Sequence, residues 1–142
     1  MKDNVKKLRY RDKDYTLVFN LNVMERIQEE YGSLDRWTAL TDGSYDMEKR
    51  YEAKNGSLDG FDVLTDEQTA EYIAEPNIAA VRFGVCEMLN EGIEIENENN
   101  GEDQPPLSLK TVGRMLTELG LANVTSKMQG VVIDSTATEE KN

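Results

Sequence analysis

The side chains that could do chemistry in this chain are mostly carboxylates, because the sequence holds 28 Asp and Glu residues, one cysteine and no histidine. The lack of histidine removes the most common general base, the most common metal ligand and every histidine-activated nucleophile. Pairs of carboxylates can still act as general acid and base. With so many acids in one chain, however, close pairs arise without a catalytic purpose, so the composition argues against an enzyme.

The stretch from Glu96 to Leu107 is the best candidate for a metal site, because it is acidic and has Gly101 where a calcium-binding loop needs a sharp turn. The last position of such a loop must supply a bidentate glutamate, and here it is Leu107. Gly84, Gly92 and Gly101 are also too far apart to form a glycine-rich phosphate loop. We therefore expect no catalytic residue, no cofactor-binding residue and no metal ligand.

The formal net charge of −12 limits the partners of the chain. Excess negative charge repels nucleic-acid phosphates and anionic lipid, so we expect neither a nucleic acid nor a membrane as partner. The charge is uneven, since no basic residue lies from Phe83 to Leu109. No apolar run approaches the ~20 residues that cross a bilayer. The single Cys86 cannot form an internal disulfide, which favours a reducing, cytosolic compartment.

The N-terminal segment predicts a β-hairpin. Apolar and polar residues alternate through Leu8 and Tyr10 and again from Tyr15 to Phe19, which is the period of a strand with one covered face. The charged residues 11–14 between them predict a four-residue turn. The basic side chains of this segment either form a solvated strand edge, which we favour, or dock against acidic residues of another copy: Lys6, Lys7, Arg9, Arg11 and Lys13.

The rest of the chain predicts helices, because apolar residues recur at helical spacing behind residues that cap helix starts. Two of these starts form capping boxes, Asn22 with Glu25 and Thr65 with Gln68. The other predicted caps are Ser33, Asn77 and Ser108, and the predicted helix ends are Gly32, Gly43 and Gly120. The last helix is predicted to span residues 122–132.

The helix that starts at Asn77 is the most apolar, and we predict that it ends at Gly92. Glycine takes the left-handed conformation that follows many helices without steric cost. Beyond it, Ile93 and Ile95 alternate with glutamates, which predicts a short edge strand. Residues 97–106 are polar and end in two prolines, so they are predicted as an acidic loop.

Two segments lack a clear pattern. Residues 44–64 are polar with turn signals, and we predict a surface excursion that is either a small hairpin or a mobile loop. Residues 135–142 are polar and charged, and they are predicted to be a disordered tail. The predicted fold is therefore α+β: one mostly α-helical domain over residues 1–134 with an N-terminal β-hairpin.

Four sequence blocks together resemble the tail assembly chaperones of long-tailed bacteriophages and prophages. The blocks occur in the order and with the approximate spacing of that family, and they are distributed over most of residues 8–120. They are Tyr15–Ile27, Tyr31–Leu34, Met88–Glu94 and Leu107–Gly113.

The resemblance implies a non-enzymatic binding protein with a small hairpin and a helical body. Such chaperones bind the long, helix-rich tape measure protein in the host cytoplasm, keep it soluble while the tail tube polymerises, and are absent from the mature virion. A longer form, made by translational frameshifting, often contacts the tail tube protein. The oligomeric state, including a homo-oligomer, stays open.

A chaperone of this kind needs apolar surface to cover the apolar helical faces of its target, and net charge to keep the complex dispersed. Methionine suits such a surface because its side chain is flexible, although it also fills ordinary cores. We predict that helix-face apolar residues form the partner-binding groove: Met24, Ile27, Trp37, Phe83, Met88, Met115 and Leu116.

Two other function classes fit the composition less well. A structural tail tube or connector subunit needs an extended or closed sheet, whereas this chain is predicted to be mostly helical. An acidic inhibitor that mimics DNA needs carboxylates along a rigid face, whereas many of the acids here lie in predicted loops.

Overall fold

A β-hairpin precedes seven helices in the computed structural model, which describes residues 5–141 and the side chains of residues 6–136. The strands are β1 (Val5–Tyr10) and β2 (Lys13–Val18). The helices are α1 (Leu21–Tyr31), α2 (Leu34–Asp42), α3 (Met47–Asn55), α4 (Asp66–Thr69), α5 (Ile78–Asn100), α6 (Leu109–Leu119) and α7 (Leu121–Lys141), with 3-10 turns at Phe61–Val63 and Ala70–Tyr72. This mostly helical α+β domain confirms the predicted fold class.

The hairpin is antiparallel and tighter than predicted. Tyr10 pairs with Lys13, so only Arg11 and Asp12 form the turn, both with positive φ (50° and 66°). Such a two-residue turn matches the right-handed twist of the strands. Leu8 and Leu17 are buried, while the five basic side chains of the segment are exposed.

Helix α5 is the centre of the domain, and the hairpin, α1, α2, α6 and α7 all contact it. Its buried residues lie on more than one face and extend from Ala80 to Ile93. A helix covered on several sides has this distribution, whereas a surface helix buries a single stripe. The cap at Asn77 is present, since its side chain accepts the N–H of Ala80 at 2.9 Å.

Gly92 lies inside α5, so the predicted helix end there is wrong. The helix continues to Asn100, and Gly101, with φ of 65°, ends it. A Cβ at Gly92 would overlap the carbonyl oxygen of Thr16, so the missing side chain lets β2 cross closely over α5. The predicted edge strand at 93–95 is also helix, and the acidic loop is shifted to 101–108.

Two asparagines, about two helical turns apart on α5, hold this loop against the helix. The side-chain amide of Asn90 donates to the carbonyl of Leu107 (3.0 Å), and its oxygen accepts the N–H of Leu107 (2.7 Å). Asn97 makes the same pair of bonds with the backbone of Gln104, both at 3.0 Å. The asparagines thereby satisfy backbone groups in a segment that has no regular structure of its own.

Asn90→Ala is expected to lower the free energy of unfolding by about 2 kcal/mol, because it leaves the half-buried backbone of Leu107 without either bond. Urea unfolding measures the change. Asn99→Ala, at an exposed position on the same helix, is the control and should change stability by no more than about 0.5 kcal/mol. Equal stability of the two variants would contradict the role of Asn90.

The sequence predicted a small hairpin or a mobile loop at residues 44–64, and the structure shows neither. The segment contains α3 and a 3-10 turn, and Tyr51 packs edge-on against Phe61 and Tyr72, with ring centroids 5.4 and 5.1 Å apart. Arg50 ties the segment to the domain by donating to the carbonyls of Gly43 (2.8 Å) and Tyr72 (2.6 Å). The aromatic contacts join residues far apart in sequence, so no local period revealed them.

Two helix boundaries differ from the prediction. Asn20, not Asn22, caps α1 by accepting the N–H of Val23, while the amide of Asn22 donates to Glu91. Helix α7 continues to Lys141, so the predicted disordered tail is helical over 135–141, and Asn142 lies outside the described residues. Ser135 is buried and donates to the carbonyl of Phe19 at 3.2 Å, which fixes this part of α7 against the end of β2.

The remaining predicted starts and ends agree with the structure. Side chains cap α2, α4 and α6, and the capping box at the start of α4 is complete. These boundaries depend on bonds within a few residues, which the sequence reveals directly. The cap residues are Ser33, Thr65 and Ser108, and the helix ends are Gly32, Gly43 and Gly120.

Candidate functional site

An open recess with a volume of about 980 Å³ lies along α6. Its walls come from one side of α6, the first turns of α5 and α7, and the tip of the hairpin. We call this recess the α5–α6 groove. Helix α6 has 11 residues, so the groove is roughly 16 Å long, the length of three helical turns.

Apolar side chains line the groove without being covered. Ile78 and Leu109 are the first residues of their helices, directly behind the caps, and they are 61% and 45% exposed. Leu116 is buried in the floor, and Leu121 is half-buried at one end. Large apolar side chains that cluster at a recess are typical of a surface that binds another molecule.

The groove is basic although the protein is acidic. Its charged lining residues are Arg11, Arg82, Lys110, Arg114 and a single acid, Glu118. Arg82 extends from α5 across to α6, where a Cβ on Gly113 would be 3.6 Å from its Nη1. Arg11 and Glu118 form an exposed ion pair at 3.4 Å that links the hairpin turn to the end of α6. Such an exposed pair contributes at most about 1 kcal/mol and can break readily.

Two ionisable groups that sense the charge of Arg82 have a raised pKa. Burial raises the pKa of the Cys86 thiol, and the charge of Arg82 only partly opposes the rise. Burial likewise raises the pKa of Tyr31, whose ring packs edge-on against Phe83 at 5.6 Å. A thiol with a raised pKa is a weak nucleophile at neutral pH.

Five of the seven predicted groove residues are core residues, which corrects the predicted site. These five side chains are at most 5% exposed: Ile27, Trp37, Met88, Met115 and Leu116. Met24 and Phe83 are partly buried against the same core. The apolar faces of these helices pack against one another in a single core, so other residues of the same chain cover them. Of the seven, only Leu116 lines the α5–α6 groove.

Trp37, one of these five core residues, has its whole side chain packed inside the domain. Its Nε1 donates to the carbonyl of Ala80 at 2.9 Å, its ring stacks beside Phe19, and a Cβ on Gly84 would overlap it. The ring edge also borders a smaller recess of about 260 Å³ between α2 and α7, next to the exposed Ile133.

The sequence patterns did not indicate that Arg82, Lys110 and Arg114 lie together, or that Ile78 and Leu109 are exposed beside them. One signal was available. The chain has no basic residue from Phe83 to Leu109, and Arg82 and Lys110 lie directly at the two ends of that stretch. Because α6 packs against α5, Arg82 and Lys110 lie at the same groove.

Within the described residues, no group of three or more acidic, histidine or cysteine side chains is arranged to hold a metal ion. None of the described helices is both long and apolar enough to span a membrane. Comparisons of the chain with protein-family models, with curated proteins and with solved structures gave no match.

Proposed function

We propose that this chain is a tail assembly chaperone of a long-tailed bacteriophage or prophage, which binds the tape measure protein and keeps it soluble until the tail tube encloses it. The observation that carries the proposal is the α5–α6 groove. Ile78 and Leu109 are exposed there, although most of the other large apolar residues of α5 and α6 are buried. The four sequence blocks that resemble the family support it independently.

The groove fits a helix-rich target. It is about three turns long and has apolar residues on both walls, which is the arrangement that receives one face of an amphipathic helix. Complete burial of a side chain such as Ile78 contributes about 1.5–3 kcal/mol before the entropy cost of binding. Each contact is therefore modest, and several copies along a repetitive target would add avidity and still release it.

The rest of the proposal follows from this role. The chain acts in the cytoplasm of the bacterial host and is absent from the mature virion. A longer, frameshifted form contacts the tail tube protein and brings it to the coated tape measure protein. The net charge of −12 keeps the coated complex dispersed.

Co-expression tests the proposal. The tape measure protein of the same phage or prophage is expressed alone, with this chain, and with an unrelated acidic protein of similar size and charge. We expect a severalfold larger soluble fraction of the target only with this chain. If the target is no more soluble than with the unrelated protein, the chaperone role is wrong. Recovery of this chain in purified virions would instead favour a structural subunit.

A further inference from the structure

We propose that the α5–α6 groove recognises a helix whose apolar stripe is flanked by acidic side chains. This inference deepens the proposed function and rests on it for the class of partner, a protein helix. It adds that the segment of the partner that docks is helical and carries negative charge.

The spacing of the groove residues favours a helix as the occupant. On α6, Lys110, Gly113, Arg114 and Thr117 follow the i, i+3, i+4, i+7 pattern of a single helix face. On α5, Ile78 and Arg82 are one turn apart and form the opposite wall. The groove is therefore lined by faces of two helices. Gly113 adds no side chain at its middle, and the Arg82 side chain lies over it.

The charges of the groove favour an acidic occupant. Among the described residues, none of Arg82, Lys110 and Arg114 forms an ion pair. Three cations in one recess repel each other, and carboxylates from a partner would remove that repulsion. The net charge of −12 means that the rest of the chain repels an acidic stripe, so the attraction is confined to the cations of this groove.

The Arg11–Glu118 pair shows that a cation of this groove can bind a carboxylate. The carboxylate of Glu118 lies 3.4 Å from the Arg11 guanidinium, and both side chains are largely exposed. A partner carboxylate at the hairpin end of the groove can replace Glu118 at little cost. The exposed apolar residues between the cations distinguish this site from a nucleic-acid surface, because phosphates gain nothing from Ile78 and Leu109.

Two synthetic helical peptides of about 16 residues provide the probes. They carry the same leucine stripe, flanked by glutamates in one and by lysines in the other. Fluorescence anisotropy against the full chain at low salt should show the glutamate peptide binding at least about tenfold more tightly. The difference should shrink as the salt concentration rises.

Charge reversal in the groove provides the matched variants. Arg82→Glu with Arg114→Glu should reverse the preference between the peptides. Lys7→Glu with Lys49→Glu makes the same change in net charge at exposed positions outside the groove and should leave the preference in place. Equal affinity for the two peptides, or an equal effect of the two double variants, would overturn the inference. Tighter binding of a single-stranded DNA oligonucleotide than of the glutamate peptide would overturn it as well.

The outcomes separate this inference from the proposed function. A target solubilised by the chain, together with equal affinity for both peptides, keeps the chaperone role and removes the acidic-helix inference. Selective binding of the glutamate peptide without any solubilisation of the target removes the chaperone role and keeps the groove specificity.

Discussion

Gly92→Ala is expected to lower the free energy of unfolding by about 2 kcal/mol or more, although alanine is the better helix former. A Cβ at this position would overlap the carbonyl oxygen of Thr16, which belongs to the backbone of β2. Because β1 pairs with β2 and β2 packs on α5, the carbonyl can move only if the whole hairpin shifts. Urea unfolding of the variant measures the loss.

Gly130→Ala is the matched control. This glycine also lies inside a long helix, α7, but a Cβ there would meet the end of the Lys6 side chain, with Cε at 2.8 Å. A flexible side chain can move aside, so we expect unchanged stability or a gain of up to about 1 kcal/mol. If Gly92→Ala is as stable as Gly130→Ala, β2 does not cross α5 as closely as described.

The two glycines illustrate what the sequence can and cannot predict. A helix end and a close backbone approach both favour a residue without Cβ, so Gly92 in the run Asn90–Gly92 has the local pattern of a stop. The contact with Thr16 that explains it joins residues 76 positions apart in sequence. Helix starts such as Asn77 and Ser108 were predictable because the cap and its N–H partner lie three residues apart.

The candidate site was less predictable than the fold for a related reason. A stripe shows that a helix face is covered, but it does not show whether the cover is the same chain or a partner. The stripe residues Trp37 and Met88 are covered internally. The groove uses the first residues of helices and the faces beside the stripes, which come together only when α5 and α6 pack.

The second large effect is expected on binding. Ile78→Asp with Leu109→Asp should weaken binding of the proposed partner, the tape measure protein, by at least about 2 kcal/mol, because it places two charges against an apolar stripe. Both side chains are about half exposed or more, so each change should alter the free energy of unfolding by no more than about 0.5 kcal/mol. Co-purification with the target and thermal unfolding of the free variant measure the two quantities.

A matched surface variant controls for added charge. Leu58 and Val63 are exposed apolar residues outside the groove, 44% and 76% exposed, so Leu58→Asp with Val63→Asp makes the same chemical change elsewhere. This variant should retain the target like the unmodified chain. If it loses the target as strongly as the groove variant, the α5–α6 groove is not the binding surface.

The soluble fraction of the tape measure protein, co-expressed in turn with the unmodified chain, the groove variant and the surface variant, tests the central claim most directly. We predict that the unmodified chain and the surface variant keep the target in solution, and that the groove variant leaves it in the pellet although the variant itself is folded and soluble. Equal solubility of the target with all three chains would contradict the claim that this groove shields it.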